Sequence, residues 1–162
     1  MSKIPAFSIV AASSGTGKTT LMEKLIAEFT RRGLRVGTVK DDAHRFQIDH
    51  EGKDTWRFMQ AGARAAAIVS GQQYALIQRT EEKKDLLAVL ALIEDVDIIL
   101  VEGFKAGPLP RIEVVRREKG ESVISGGERL LAVATDIPDL AAGKPVFHLD
   151  DARGIADFLL RQ

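Results

Sequence analysis

The chain alternates two kinds of apolar pattern. One is the short continuous run, as in Phe7-Ser8-Ile9-Val10-Ala11 and Ile98-Ile99-Leu100-Val101, with others at 112–115 and 130–134. Runs of this length fit strands buried on both faces of a parallel sheet. The other is helical spacing. Residues 19–32 carry Leu21, Leu25, Ile26 and Phe29 on one stripe and Glu23, Lys24, Glu28 and Arg31 elsewhere, with Gly33 where a left-handed cap belongs. The pattern returns at 81–94 with Leu86, Leu87, Leu90 and Ile93, and at 152–160 with Ile155, Phe158 and Leu159. Further strands are predicted at 35–39 and 146–149. Asp54 is placed to cap a short helix ending near Ala61-Gly62-Ala63. Residues 66–69 and 74–78 read as strands joined by the turn Ser70-Gly71-Gln72-Gln73. The polar segment 116–127, with three glycines, reads as an exposed hairpin or mobile loop. This alternation predicts an open, mainly parallel α/β sheet with an added hairpin region, in one domain spanning 1–162, with ligands at the strands' C-terminal ends.

The first strand runs directly into Ala12-Ser13-Ser14-Gly15-Thr16-Gly17-Lys18-Thr19 and then into the first helix. A strand, a glycine-rich loop, a Lys-Thr pair and a helix make a P-loop, and the predicted fold becomes a three-layer P-loop NTPase. Backbone N–H groups and the positive helix end favour an anion there. Ser14, Gly15, Thr16, Gly17, Lys18, Thr19 and Thr20 are the predicted phosphate-binding residues. Lys18 would reach the terminal phosphates as a catalytic cation, and the Thr19 hydroxyl would ligate a phosphate-bound Mg²⁺. Ala12 stands where the common pattern has glycine.

Composition narrows the picture further. Lysine plus arginine and aspartate plus glutamate both total 23, so no global charge draws the chain to nucleic acid or to a membrane surface. Cysteine is absent, which excludes disulfides and cysteine nucleophiles and fits a cytoplasmic setting. The apolar stretches fall short of a bilayer span, and the first one reads as a core strand rather than a leader.

Three other groups carry candidate chemistry. Glu102 ends the 98–101 run and is predicted at the Mg²⁺ site. In the loop after the second strand, Asp41, Asp42 and His44 could supply a metal ligand or position water, and Asp42 is the predicted catalytic carboxylate. His44 with His50 is too sparse a set for zinc. Asp136 follows the 130–134 strand and either accepts from guanine's N1–H and 2-amino groups or caps a turn. Arg111, Arg116, Arg117 and Arg129 either contact an anion or coat a hairpin.

Several segments together resemble the family of molybdopterin-guanine dinucleotide biosynthesis adaptor proteins, MobB. They are Ser14 to Leu25, Val36-Gly37-Thr38-Val39-Lys40, Asp42-Ala43-His44-Arg45-Phe46 with Asp49, and Gly52-Lys53-Asp54-Thr55-Trp56-Arg57 with Ala61-Gly62-Ala63. Leu100-Val101-Glu102-Gly103-Phe104-Lys105 and Pro110-Arg111-Ile112-Glu113-Val114 complete the set. The resemblance implies a homodimeric, slowly hydrolysing GTPase that uses Mg²⁺. It would assist a MobA-type guanylyltransferase in joining GMP to molybdopterin, to make the guanine dinucleotide form of the molybdenum cofactor. Lys53, Asp54 and Arg57 would belong to the family's characteristic surface. Asp41 departs from the family pattern, which has histidine after the lysine, and adds negative charge near the phosphates. Two other uses of the same loop compete with this one: a small-molecule kinase, and a nucleotide-binding interaction module without turnover.

Overall fold

The structure is a computed structural model describing residues 4–42, 46–140 and 142–162. Its contacts divide the chain into two compact units, one formed by Met1–Asp41 with Leu86–Gln162, the other by Asp42–Asp85.

The first unit is built on a six-stranded sheet. Its strands are β1 (Ala6–Ala11), β2 (Val36–Lys40), β5 (Ile98–Glu102), β6 (Arg111–Val115), β7 (Leu130–Thr135) and β8 (Val146–His148). They lie in the order β2-β5-β1-β6-β7-β8, and every neighbouring pair is parallel. The central strands are buried throughout, as continuous apolar runs require. On one face Leu21, Leu25 and Phe29 of α1 (Lys18–Arg31) and Ile155 and Leu159 of α4 (Ala152–Leu159) pack against Ile9, Leu100 and Ile112. On the other, Leu86 of α3 (Leu86–Leu90) packs with Ile99, Val101 and Leu109. This is the three-layer α/β arrangement that the alternating pattern predicts.

Local chemistry sets the helix ends. Gly33, at φ 81, closes α1: its N–H bonds to the carbonyl of Thr30, while Leu34 N–H reaches that of Phe29. That is a Schellman cap, and it satisfies carbonyls that would otherwise be orphaned. Asp151 caps α4 by accepting from Gly154 N–H at 2.8 Å.

The helix expected at 81–94 is much shorter, because Glu81, Glu82, Lys83 and Lys84 are exposed and offer no apolar stripe to bury. Beyond α3 the chain continues in tighter turns, with Leu92 and Ile93 bonded to carbonyls three residues back.

The second unit holds α2 (Asp54–Gln60) and the antiparallel pair β3 (Ala65–Val69) and β4 (Tyr74–Gln78). The pair is the hairpin read from the sequence, closed where Ser70 N–H bonds to the Gln73 carbonyl. Asp54 begins α2 rather than capping it, since the N-cap position falls on Lys53. Arg79 anchors the hairpin to α2 by donating from Nη2 to the Met59 carbonyl at 2.8 Å.

Candidate phosphate-binding site

The parallel order explains where the site forms. β1 lies between β5 and β6, and the chain reaches both only by leaving β1 through α1, so β1's C-terminal end is a switch point of the sheet. The glycine loop sits there. Gly15 at φ 70 and Gly17 at φ 103 take backbone conformations that side chains resist, and Gly17 is the N-cap of α1 without any side-chain hydrogen bond. The first N–H groups of a 14-residue helix are therefore not spent on a cap.

The loop is braced from inside. Thr16 is buried and donates from Oγ1 to the Ser13 carbonyl at 2.8 Å. Lys18 Nζ folds back to the same carbonyl at 3.1 Å. Ser14, Thr19 and Thr20 face solvent. The β1–β5 register pairs Ile9 with Glu102, which brings that carboxylate to the loop. There Thr19 Oγ1 donates to Glu102 Oε2 at 3.0 Å.

The residues after Glu102 complete the frame. Gly103, at φ 97, donates its N–H to the Ile9 carbonyl, and Asp41 Oδ2 accepts from Phe104 N–H at 3.3 Å. Lys105 Nζ donates to the Ala12 carbonyl at 2.6 Å. The Glu-Gly-Phe-Lys block thus wraps the base of the loop. Asp41, which looked from the sequence like an added charge beside the phosphates, has one carboxylate oxygen engaged by the Phe104 backbone.

Sequence reasoning left open what the 116–127 segment does. Among the described residues it carries no strand, so it is not a hairpin. It forms a single 3₁₀ turn at Arg117–Lys119, and its return is pinned by the buried Glu113, whose carboxylate accepts from Ile124 and Ser125 N–H groups at 2.9 and 2.6 Å. The turn lies against the glycine loop. A methyl group on Gly15 would lie 3.6 Å from Nζ of Lys119, and one on Gly17 would lie 3.9 Å from Cζ of Arg116. Lys119 was not singled out in the sequence. The adjacency of β1 and β6 that brings it here has no local sequence signal.

Asp136 closes the arrangement. Its Oδ1 accepts from Arg117 N–H at 2.9 Å, and Oδ2 faces Arg116 Nε at 3.8 Å. Engaged this way, the carboxylate holds the turn in place. Asp42 is exposed and opens the second unit, while His44 lies outside the described residues. Asp54 and Arg57 form an exposed 3.8 Å pair on α2. A large apolar cavity, about 730 Å³ and lined by Ile4, Phe7, Leu90, Leu109 and Pro110, belongs to the opposite, N-terminal edge of the strands. It has no part in this chemistry.

Fold and loop define an α/β protein that presents a strand–glycine loop–helix at the switch point of a parallel sheet, with a hydroxyl–carboxylate pair beside it. The chain belongs to the MobB family: the family model for molybdopterin guanine dinucleotide synthesis protein B matches residues 7–136. It is 37% identical over 152 residues to the molybdopterin-guanine dinucleotide biosynthesis adapter protein of Haemophilus influenzae, covering 93% of this chain and 85% of that one. With the Escherichia coli protein of the same description it shares 39% identity over 158 residues, 93% of this chain and 89% of the relative. The crystal structure of a MobB protein homolog from Bacillus stearothermophilus superimposes with a TM-score of 0.71 at 30% identity, covering 96% of this chain and 95% of the other.

Proposed function

We propose that this chain is an adapter in molybdopterin guanine dinucleotide biosynthesis that binds GTP at the glycine loop and hydrolyses it slowly with Mg²⁺. The adapter role comes from the family and its relatives' descriptions. The observation that carries the nucleotide reading is the Thr19–Glu102 contact beside an uncapped helix start. A hydroxyl and a carboxylate are hard oxygen donors of the kind a phosphate-bound Mg²⁺ takes. When bound, Mg²⁺ would neutralise charge on the phosphates.

The chain's own residues divide the remaining work. The loop N–H groups and Lys18 hold the phosphates, and Asp42 is the proposed carboxylate for orienting water. A MobA-type guanylyltransferase is the proposed partner, with molybdopterin or the molybdenum cofactor as the cargo of the shared reaction. A homodimer is proposed as well. Ile68, Val69, Tyr74 and Leu76 of the two-stranded hairpin are all exposed, and such a hairpin alone is marginal in water.

Titration calorimetry with GTP and ATP, with and without Mg²⁺, tests the reading, and Lys18→Ala should abolish binding. Undiminished affinity in that variant overturns it. Incubation with labelled GTP should release free phosphate without any acceptor, more slowly in Asp42→Ala. Transfer only to an added metabolite would make the chain a kinase, and binding without turnover would make it an interaction module.

A further inference from the structure

We propose that Arg116 and Lys119 form a second, cationic wall of the phosphate site and contact the nucleotide's phosphate oxygens directly. The proposal rests on the phosphate-binding reading above. It starts from position: both side chains come from the turn that follows β6, the strand beside β1, and both lie against the two positive-φ glycines of the loop.

Their partners, or lack of them, give the second reason. Lys119 is exposed, and among the described residues its ammonium is engaged by no hydrogen bond or ion pair. Nε of Arg116 is buried without a hydrogen-bond acceptor, and the carboxylates that balance its charge stand off: Asp136 at 3.8 Å, and Asp150, which it reaches only through its field. Arg117 between them differs: its guanidinium is spent on Glu121 at 3.1 Å. A buried guanidinium N–H without an acceptor costs free energy, as does gathering cations near a positive helix end. A phosphate resolves both.

The third reason is that the turn is built to hold this geometry. Asp136 accepts from Arg117 N–H at 2.9 Å, Lys119 N–H bonds to the Arg116 carbonyl at 2.8 Å, and Gly120 at φ 115 ends the turn. Glu113 ties down the returning chain. A solvated basic loop needs none of these anchors. Arginine's planar fork suits two phosphate oxygens at once, while lysine serves as a compact point charge.

The test is calorimetric titration of the full chain with GTP, ATP and inorganic triphosphate. Arg116→Gln and Lys119→Gln remove the charge while keeping an unbranched polar side chain, Arg116→Lys and Lys119→Arg keep the charge, and thermal melts establish that each variant folds. Loss of a charge-assisted contact should weaken all three ligands by roughly tenfold in each glutamine variant. The charge-keeping variants should recover most of that affinity. Unchanged affinity in both glutamine variants, with Lys18→Ala still unable to bind, overturns the cationic wall and leaves the phosphate site standing. Weakening confined to GTP would mean a base contact and overturns it too. A wild-type chain that binds none of the three overturns both readings.

Discussion

The hydroxyl of Thr19 donates to Oε2 of Glu102 at 3.0 Å, joining residues 83 positions apart in the chain. Parallel pairing of β1 with β5 delivers the carboxylate to the first turn of α1, where the glycine loop ends. The contact ties the glycine loop to a carboxylate from the neighbouring strand.

Mg²⁺ dependence is the first consequence. GTP affinity of the wild-type chain should rise when Mg²⁺ is added. Thr19→Ala and Glu102→Gln should lose most of that rise while keeping Mg²⁺-free binding. Calorimetry with and without the ion measures it, and an undiminished rise in both variants would remove the pair from the cation site.

Gly103 fixes how Glu102 is presented. A methyl group there would lie 2.8 Å from Cβ of Asp41, and the backbone stands at φ 97. Gly33 shares a positive φ, 81, but has nothing within 4 Å. Gly33→Ala should therefore cost about 1 kcal/mol of backbone strain, and Gly103→Ala roughly 1–3 kcal/mol more from crowding. Thermal melts compare them, and equal costs would show that Asp41 yields freely.

Asp136 separates two ways of using a carboxylate. Because both oxygens face the Arg116–Arg117 turn, Asp136→Asn should change GTP and ATP affinity alike. A loss confined to GTP would restore guanine reading to this residue. Competition between the two nucleotides decides the matter.

Acid should weaken the fold through two half-buried carboxylates, Glu28 and Asp97. Hydrogen bonds from Arg31 and then Arg32 hold Glu28 down at about 2 against an ordinary 4.5. Arg35 does the same for Asp97, through its side chain and then its backbone, to about 2 from 3.8. A carboxylate whose pKa is lowered by folding contributes stability that is complete above its unfolded value. That contribution disappears as pH falls from about 4.5 toward 2. The Arg31 and Arg35 partners are exposed, so solvent and salt screen these pairs and their contribution is modest. The urea midpoint should fall gently over this window, less so for Arg32→Gln, which also unties α1 from Asp157 of α4. An identical acid profile in that variant would show that the pairs do not contribute.

Much of the first unit was legible because its signals are local. Strand β5 came from four consecutive apolar residues, and α1 from its stripe and its cap at Gly33. The hairpin followed from two short runs around Ser70-Gly71-Gln72-Gln73. What local pattern overstated was the helix at 81–94: charged residues can spell a helical phase, yet without a surface to bury against only Leu86–Leu90 forms.

The sequence by itself determined the local frame of the proposed phosphate site. Ser14 to Thr20 read as an anion cradle because glycine freedom, a lysine and a helix start are contiguous, and contiguity needs no tertiary structure to be read. Tertiary structure decided which distant residues surround that cradle. Strand order set beside it Glu102 from β5 and Arg116 and Lys119 from the turn after β6. It also tied Asp41 to the Phe104 backbone and Asp136 to the Arg116–Arg117 turn. Parallel strands gather residues from far along the chain at one sheet edge, and which strands become neighbours depends on the packing of both faces rather than on any one segment.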